Sequence, residues 1–194
     1  MKKIGIFGGA FDPPHLGHLI AAQYAAEQLL LDKVIFVPSG NHPFKENKLV
    51  ASAEQRFAMT KLAIAGNPLF DVSDVEVRKH GKSYTFETLE YFNSLYPDGS
   101  LSFLIGTDNI KDFSLWRHPE KIVELATVVV LNREIIRLPK QENEFMTRFL
   151  FLDTPTNEIS STEIRNRLAE HKTVRYMIRN GVELFLDMTG LYRK

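Results

Sequence analysis

Two histidines stand three residues apart in the segment IFGGAFDPPHLGH, residues 6–18. His15 and His18 would share one face of a helix's first turn, because residues i and i+3 are neighbours on a helix surface. Gly8 and Gly9 precede them and allow the backbone to approach a ligand closely. The helix start that follows offers unpaired N–H groups and the positive end of a dipole, which suit a phosphate. The segment therefore predicts a phosphate site to which both imidazoles donate hydrogen bonds.

Several other kinds of site are disfavoured by the composition and by this segment. It contains neither a GxGxxG pattern nor a Walker loop, which argues against dinucleotide redox chemistry and P-loop hydrolysis. The chain has no cysteine, which excludes disulfides, thiolate metal sites and cysteine nucleophiles. Its 24 basic and 24 acidic residues balance. We therefore expect no nucleic-acid partner, since binding to a phosphate backbone usually requires a basic excess.

Short apolar runs alternate with amphipathic stretches along most of the chain, and these elements must position the histidines. We predict strands at residues 3–7, 33–37, 69–77, 101–106, 127–131 and 148–152. We predict helices at residues 18–31, 53–65, 85–95, 118–126, 161–171 and 174–188. Consecutive apolar positions in several strands are typical of a parallel sheet that is covered on both faces. The pattern predicts an α/β fold: a Rossmann-like, doubly wound parallel sheet with helices on both faces and ligands at the carboxyl ends of the strands.

The 194 residues are predicted to form a single domain, 1–194, whose residues 156–194 make a small C-terminal helical portion. No apolar run approaches the roughly 20 residues that span a bilayer. The N-terminal apolar run is also too short for a signal peptide. We therefore expect a cytoplasmic protein with no membrane partner.

Four segments resemble the nucleotidyltransferase superfamily that carries an HxGH signature. GGAFDPPHLGH (8–18) resembles that signature, and ISSTEIR (159–165) is similar to the second superfamily motif. SYTFETL (83–89) and LIGTDNIKDFSLW (104–116) are similar to segments typical of bacterial nicotinate-nucleotide adenylyltransferases. The likeness runs in order from residue 4 to about residue 186. It implies adenylyl transfer from ATP to nicotinate mononucleotide, which gives nicotinate adenine dinucleotide (deamido-NAD) and pyrophosphate in NAD biosynthesis.

The resemblance also implies roles for individual residues. Those assigned to catalysis are His15, His18, Lys45 and Arg165. Those assigned to ATP and its phosphates are Gly8, Gly9, Ala10, Phe11, Gly106, Asp108, Ile159, Ser160, Ser161 and Thr162. Those assigned to the nicotinate nucleotide are Ser39, Thr85, Trp116 and Arg117. Mg²⁺ is expected on the triphosphate rather than in a metal site of the protein, as is usual for this ion.

Three positions depart from the family pattern. Ala10 stands where relatives usually have Thr or Ser, so only its backbone N–H is left to meet a phosphate. The segment 42–45 reads His-Pro-Phe-Lys where relatives often have Pro-Pro-His-Lys, so Phe44 stands in place of the family's loop histidine and His42 is a candidate replacement. Arg117 stands where relatives often have an aromatic residue. It either reaches the nicotinate carboxylate or lies on the surface.

Two other functions fit parts of the pattern. Pantetheine-phosphate adenylyltransferases share an HxGH-like site and a similar second motif, although the SYTFETL segment and Trp116 favour the pyridine nucleotide enzyme. A non-catalytic nucleotide sensor of the same fold is the second alternative. It would not need to keep His15, His18 and Arg165 together. The oligomeric state, a homo-oligomer included, is left open by the sequence.

Overall fold

The computed structural model describes residues 1–40, 50–79, 81–132, 144–155 and 158–193. Within these ranges, parallel strands form one sheet in the order β3-β2-β1-β4-β5-β6. The strands are β1 (Lys3–Gly9), β2 (Lys33–Pro38), β3 (Phe70–Val72), β4 (Ser100–Gly106), β5 (Thr127–Asn132) and β6 (Leu150–Asp153). This order confirms the predicted doubly wound α/β fold.

Helices connect the strands and extend beyond the last one. They are α1 (Leu16–Leu29), α2 (Ala53–Ile64), α3 (Thr85–Leu95), α4 (Pro119–Leu125), α5 (Ser161–Ala169) and α6 (Asn180–Thr189). Single 3-10 turns lie at Thr107–Asn109, Phe113–Leu115 and Met146–Arg148. In the part of the chain described, no helix combines the length and the apolar character needed to cross a membrane.

The strand order reverses next to β1, which pairs with β2 on one side and β4 on the other. The loops that leave β1 and β4 therefore diverge to opposite faces of the sheet and open a crevice at their carboxyl ends. Gly9, the last residue of β1, is level with Pro38 of β2, so the exits of these two strands are adjacent. The fold thus places the Gly8–His18 segment at the ligand-binding edge.

Side chains that alternate along the strands pack into separate apolar cores on the two faces of the sheet. Ile4 and Ile6 pack with side chains of α3 and α4, whereas Phe7 packs with alanines of α1. A third core joins α2 to α5 and α6 through fully buried side chains such as Met59, Ile164 and Val182. This third core anchors the start of α5, which carries ISSTEIR, beside the sheet.

Most predicted elements agree with the structure to within two residues at each end, and two of them differ by more. The predicted strand 69–77 ends at Val72, because Ser73 and the residues after it form a turn with side-chain-to-backbone bonds that compete with strand pairing. The predicted helix 174–188 begins only at Asn180, since the Met177 carbonyl accepts from the Leu16 N–H of α1 and Tyr176 has a φ of 67°. The predicted helix 18–31 is α1, which begins at Leu16 and is capped by His15.

Candidate functional site

A cavity of about 710 Å³ opens at the crevice between β1 and β4. Most of the residues predicted from the sequence line it: Gly8, Gly9, Ala10, Phe11, His15, His18, Ser39, Thr85, Gly106, Asp108, Trp116, Arg117, Ser161, Thr162 and Arg165. Ile159 and Ser160 are not among the lining residues. Lys45 and His42 lie outside the described residues.

His15 and His18 are held against each other at the start of α1. His15 is the residue before the helix and is 2% exposed, and His18 is half-buried. Their ring centroids are 3.7 Å apart, and the backbone N–H of His15 donates to Nδ1 of His18 at 3.2 Å. Because Nδ1 accepts this bond, the neutral His18 ring carries its proton on Nε2. Both rings line the cavity, as the i, i+3 spacing predicted.

The rings of Phe7 and Phe11 pack against the imidazole of His18. The Phe11 ring meets the His18 ring edge-on with centroids 5.1 Å apart, and Phe7 lies 5.7 Å from Phe11. Phe11 has a φ of 51°, which is unusual for a residue other than glycine. Gly9 is required here, because a Cβ on it would come within 2.9 Å of the Phe11 ring. The glycine therefore permits the packing that fixes the second histidine.

The start of α5 is bonded to the loop that follows β1. Ser161 Oγ donates to the Pro13 carbonyl at 2.8 Å, and Arg165 Nη1 donates to the Asp12 carbonyl at 2.8 Å. Ser160 caps the helix by accepting from the Glu163 N–H at 3.2 Å, which places its hydroxyl in a structural role. We call residues 9–18 together with 161–165 the phosphate side of the cavity.

The Asp12 carboxylate, which the sequence analysis did not select, joins three parts of the chain. It is 2% exposed and accepts from Val50 N at 2.9 Å, Ala51 N at 3.1 Å and Tyr192 Oη at 2.6 Å. Burial, and then the bond to Asp12 and its negative charge, raise the pKa of Tyr192 far above its ordinary value, so the phenol remains a donor. No sequence pattern pairs Asp12 with a residue 180 positions away.

The same cavity is also lined by an aromatic and cationic surface, which we call the aromatic wall: Tyr84, Thr85, Trp116 and Arg117. Trp116 is half-buried and packs on Phe113, with ring centroids 5.3 Å apart. The Arg117 guanidinium lies over the Tyr84 ring, with Cζ 4.6 Å from the centroid. This arrangement provides a flat surface for an aromatic ring and a positive charge next to it.

Two further polar groups at the cavity were missed by the sequence analysis. Glu76 accepts from Thr88 Oγ1 at 2.7 Å and from the Gly40 N–H. Burial raises the pKa of the Glu76 carboxyl above its ordinary value, although these two hydrogen bonds oppose the shift. Ser83 is 6% exposed, and its hydroxyl makes no hydrogen bond to the described residues. The alternating apolar pattern of residues 69–77 predicts a strand through Glu76, and such a pattern gives no sign of a carboxylate at a cavity.

The remaining lining residues come from the exits of β4 and β6. Gly106 ends β4, and Asp108 follows in the 3-10 turn with an exposed side chain that accepts from Asn109 Nδ2 at 3.2 Å. Thr154 and Pro155, which follow β6, line the same region. The cavity is thus continuous from the exits of β4 and β6 to the phosphate side and the aromatic wall.

Known proteins resemble this chain over its full length. Residues 6–167 match the cytidylyltransferase-like family. A Thermus thermophilus protein named "Probable nicotinate-nucleotide adenylyltransferase" is 44% identical over 191 residues, which cover 98% of this chain and 100% of that protein. A Desulfitobacterium hafniense protein of the same name is 39% identical over 199 residues, covering 99% of this chain and 96% of that one.

A solved structure shares the fold at lower identity. The Plasmodium falciparum nicotinic acid mononucleotide adenylyltransferase in complex with NaAD superposes with a TM-score of 0.79 and 20% identity, covering 99% of this chain and 98% of that one. The full-length identity of about two residues in five to the bacterial relatives is well above that level. The chain therefore belongs to the nicotinate-nucleotide adenylyltransferases of the cytidylyltransferase-like family.

Proposed function

We propose that this protein transfers the adenylyl group of ATP to nicotinate mononucleotide, giving nicotinate adenine dinucleotide and pyrophosphate in NAD biosynthesis. The observation that carries the proposal is that one cavity joins the phosphate side to the aromatic wall. Two phosphorylated substrates, one with a charged pyridine ring, have the chemistry that such a cavity recognises. The names of the bacterial relatives support the same reaction.

In the proposed reaction an oxygen of the acceptor phosphate attacks the α-phosphorus of ATP in line. The new P–O bond forms as the bond between the α-phosphorus and the bridging oxygen breaks, and pyrophosphate leaves with that electron pair. The acceptor phosphate is already an anion near neutral pH, so the reaction needs no general base. Catalysis then consists of positioning and charge stabilisation, and orientation alone can lower such a barrier by about 7–11 kcal/mol.

The roles proposed for the phosphate side follow from its donors. His15 and His18 would donate to the α-phosphate, and the N–H groups of residues 10 and 11 would face the same group. Ser161 through its backbone N–H, together with Thr162 and Arg165, would hold the leaving pyrophosphate at the start of α5, since the Ser161 hydroxyl already donates to the Pro13 carbonyl. Lys45 is proposed as a further phosphate contact on the sequence resemblance alone. Ile159 and Ser160 would contribute only by shaping this helix start.

The aromatic wall would bind the nicotinate nucleotide. Trp116 would stack on the pyridine ring. Thr85, the first residue of α3, and Ser39, which follows β2, would contact the same nucleotide. Arg117, which lies over the Tyr84 ring and lines the cavity, would attract the nicotinate carboxylate. Asp108 is proposed to accept from the ribose hydroxyls of ATP.

Mg²⁺ belongs to the proposal as the counter-ion of the triphosphate. The donor set fits this role: Asp12 and Glu76 use their carboxylates for internal hydrogen bonds, and Asp108 is proposed for the ribose, so the ion would be held mainly by phosphate oxygens and water. Magnesium commonly binds through substrate phosphates and keeps several waters. When bound, it would neutralise charge on the phosphates.

The test is pyrophosphate release with ATP, Mg²⁺ and one acceptor at a time. Nicotinate mononucleotide, nicotinamide mononucleotide and phosphopantetheine are supplied separately, and we expect the highest kcat/KM with the first. Release with phosphopantetheine alone would replace this proposal with pantetheine-phosphate adenylyl transfer. Release with none, combined with ATP binding, would indicate a nucleotide sensor.

A further inference from the structure

Arg56 is a buried cation that reaches into the loop carrying the histidines. It lies in the first turns of α2 and is 1% exposed. Its Nη1 donates to the Ala10 carbonyl at 2.8 Å and to Ser39 Oγ at 3.3 Å. Its Nη2 donates to the Ser39 carbonyl at 2.5 Å. A single guanidinium thus holds the backbone at the exits of both β1 and β2.

The planarity of the peptide bond converts these bonds into an orientation of N–H groups. In a trans peptide the carbonyl and the following N–H point in opposite directions. When Arg56 holds the Ala10 carbonyl on the α2 side, the N–H of Phe11 must point away from Arg56. Ala10 and Phe11 both line the cavity, so an N–H that is turned away from Arg56 at this peptide would be available to a phosphate bound there.

The second carbonyl held by Arg56 shows the same geometry. Arg56 holds the Ser39 carbonyl, and the next N–H, that of Gly40, donates to the Glu76 carboxylate. Gly40 must be a glycine at this point, because a Cβ would collide with the Glu76 carbonyl oxygen. Glu76 in turn accepts from Thr88 of α3. Arg56 is therefore connected to the helix that begins at the aromatic wall.

The charge of Arg56 adds to this orientation. Burial lowers its pKa while the charge of Asp12 opposes the shift, and an arginine remains protonated in either case. A carbonyl bonded to a cation is polarised, and polarisation along a chain of hydrogen bonds strengthens the N–H of the same peptide as a donor. Arg56 would thus make the Phe11 N–H both better aimed and more acidic.

We propose that Arg56 is a positioning residue that aims the Phe11 N–H at the transferred phosphate and fixes the β2 exit against Glu76. This inference rests on the adenylyl transfer proposed above. Arg56 itself contacts backbone and Ser39, and it is not assigned to contact substrate. A shift of about 1 Å in such a donor can lower turnover by roughly 10²-fold.

Arg56→Lys is the first variant that tests this role. Lysine keeps the charge but cannot bind the Ala10 and Ser39 carbonyls with one planar fork. We expect kcat to fall roughly 10²-fold, with a change in the KM for ATP below about 5-fold, because the donor acts mainly on the transferred group. Arg56→Gln, which buries no charge, is measured alongside in case the lysine variant does not fold.

Two controls separate positioning from stability. Val182→Ala removes a fully buried side chain of the core between α2 and α6 and lowers the melting temperature without touching the cavity lining. Arg78→Lys changes an arginine whose side chain is 80% exposed. Wild-type kcat in a folded Arg56→Lys protein would overturn the proposal. Loss of kcat no greater than that of Val182→Ala at an equal drop in melting temperature would overturn it as well.

A measurement on the wild-type protein separates this inference from the proposed reaction. In ¹⁵N–¹H spectra, a non-hydrolysable ATP analogue should shift the Phe11 amide strongly in wild type and less than half as much in Arg56→Lys. An unshifted Phe11 amide in the wild type overturns the positioning role. Absence of pyrophosphate release from the wild type would instead refute the adenylyl transfer, and the amide shift would still report on phosphate binding.

Discussion

The phosphate side and the aromatic wall are stabilised in different ways. The carbonyls of Ala10, Asp12 and Pro13 are all held by side chains from α2 and α5. The aromatic wall instead has ring contacts and a guanidinium that lies over Tyr84, and Arg117 is exposed. The chemical step needs donors fixed within a fraction of an ångström, whereas binding a ring requires mainly a flat apolar surface.

This difference suggests that substitutions on the two sides will affect different kinetic constants. A change on the phosphate side should lower kcat, because its donors act on charge that develops in the transition state. A change on the aromatic wall should raise the KM for the nicotinate nucleotide, since its contacts are similar in the ground and transition states.

The largest effect is expected for His18→Ala. Loss of one preorganised donor should lower kcat by about 10²-fold or more, measured as pyrophosphate release at saturating ATP and nicotinate mononucleotide. His171→Ala is the matched control, because His171 is exposed and does not line the cavity. Near-wild-type turnover of a folded His18→Ala protein would falsify the assignment of this histidine.

Trp116→Ala should have the next largest effect. Loss of a stacking surface should raise the KM for nicotinate mononucleotide roughly 10-fold, with a smaller change in kcat. Trp116→Phe serves as the control, since it keeps an aromatic ring over Phe113. If both variants lower kcat and leave the KM for nicotinate mononucleotide unchanged, the aromatic wall acts on the chemical step rather than on binding of this substrate, which contradicts the proposed difference between the two sides.

A smaller effect is expected for Arg117→Ala. Removing an exposed charge near the proposed pyridine site should lower the acid-over-amide ratio of kcat/KM by about 5-fold or less, as is usual for exposed ion pairs. Arg117→Lys keeps the charge but weakens the stacking on Tyr84, so it should retain more of the ratio. An unchanged ratio in both variants would place Arg117 among surface residues without a role in selectivity.

Glu76→Gln should affect stability rather than turnover, with a dependence on pH. Burial raises the pKa of Glu76 in the folded state, so the folded protein holds this proton more tightly than the unfolded chain does. Its contribution to stability is therefore highest below the ordinary glutamate pKa and is lost as the pH rises through the raised value. The glutamine variant should melt at a higher temperature than wild type at pH 8, and this difference should shrink as the pH is lowered to about 4.

Glu120→Gln provides the contrast for that experiment. Glu120 is on the surface, and its pKa is lowered, first by its own backbone N–H and then by His118. Its replacement should leave the melting temperature nearly unchanged at either pH. A Glu76→Gln protein that behaved in the same way would show that the buried carboxyl carries no cost in the folded state.

Local chemistry explains which parts of the site could be predicted from the sequence. His15 and His18 are three residues apart at a helix start, so their proximity follows from helix geometry. Trp116 and Arg117 lie beyond two 3-10 turns that follow β4, and the family resemblance rather than local spacing assigned them to the nicotinate nucleotide. Only the two histidines depend on contacts within one short segment, which the sequence displays directly.

Arg56 and Glu76 could not be predicted, for different physical reasons. An arginine in an amphipathic helix usually faces solvent, and only the packing of α2 against the exits of β1 and β2 buries Arg56. Glu76 lies in an alternating apolar pattern that favours a strand, and a turn after Ser73 overrides that pattern. Most of the partner groups are backbone carbonyls or N–H groups, which no residue type in the sequence reveals.

The sequence by itself determined the order of the elements, the fold class and the pairing of the two histidines that line the cavity, because these depend on periodicity and on short-range spacing. Tertiary structure decided how the site is held. It brings Tyr192 to Asp12 across 180 residues and Arg165 to the Asp12 carbonyl across 153. Such contacts are set by the packing of α2, α5 and α6 around a common core. Burial excludes water there, so a buried polar group is stabilised only by the protein partner that the packing brings to it.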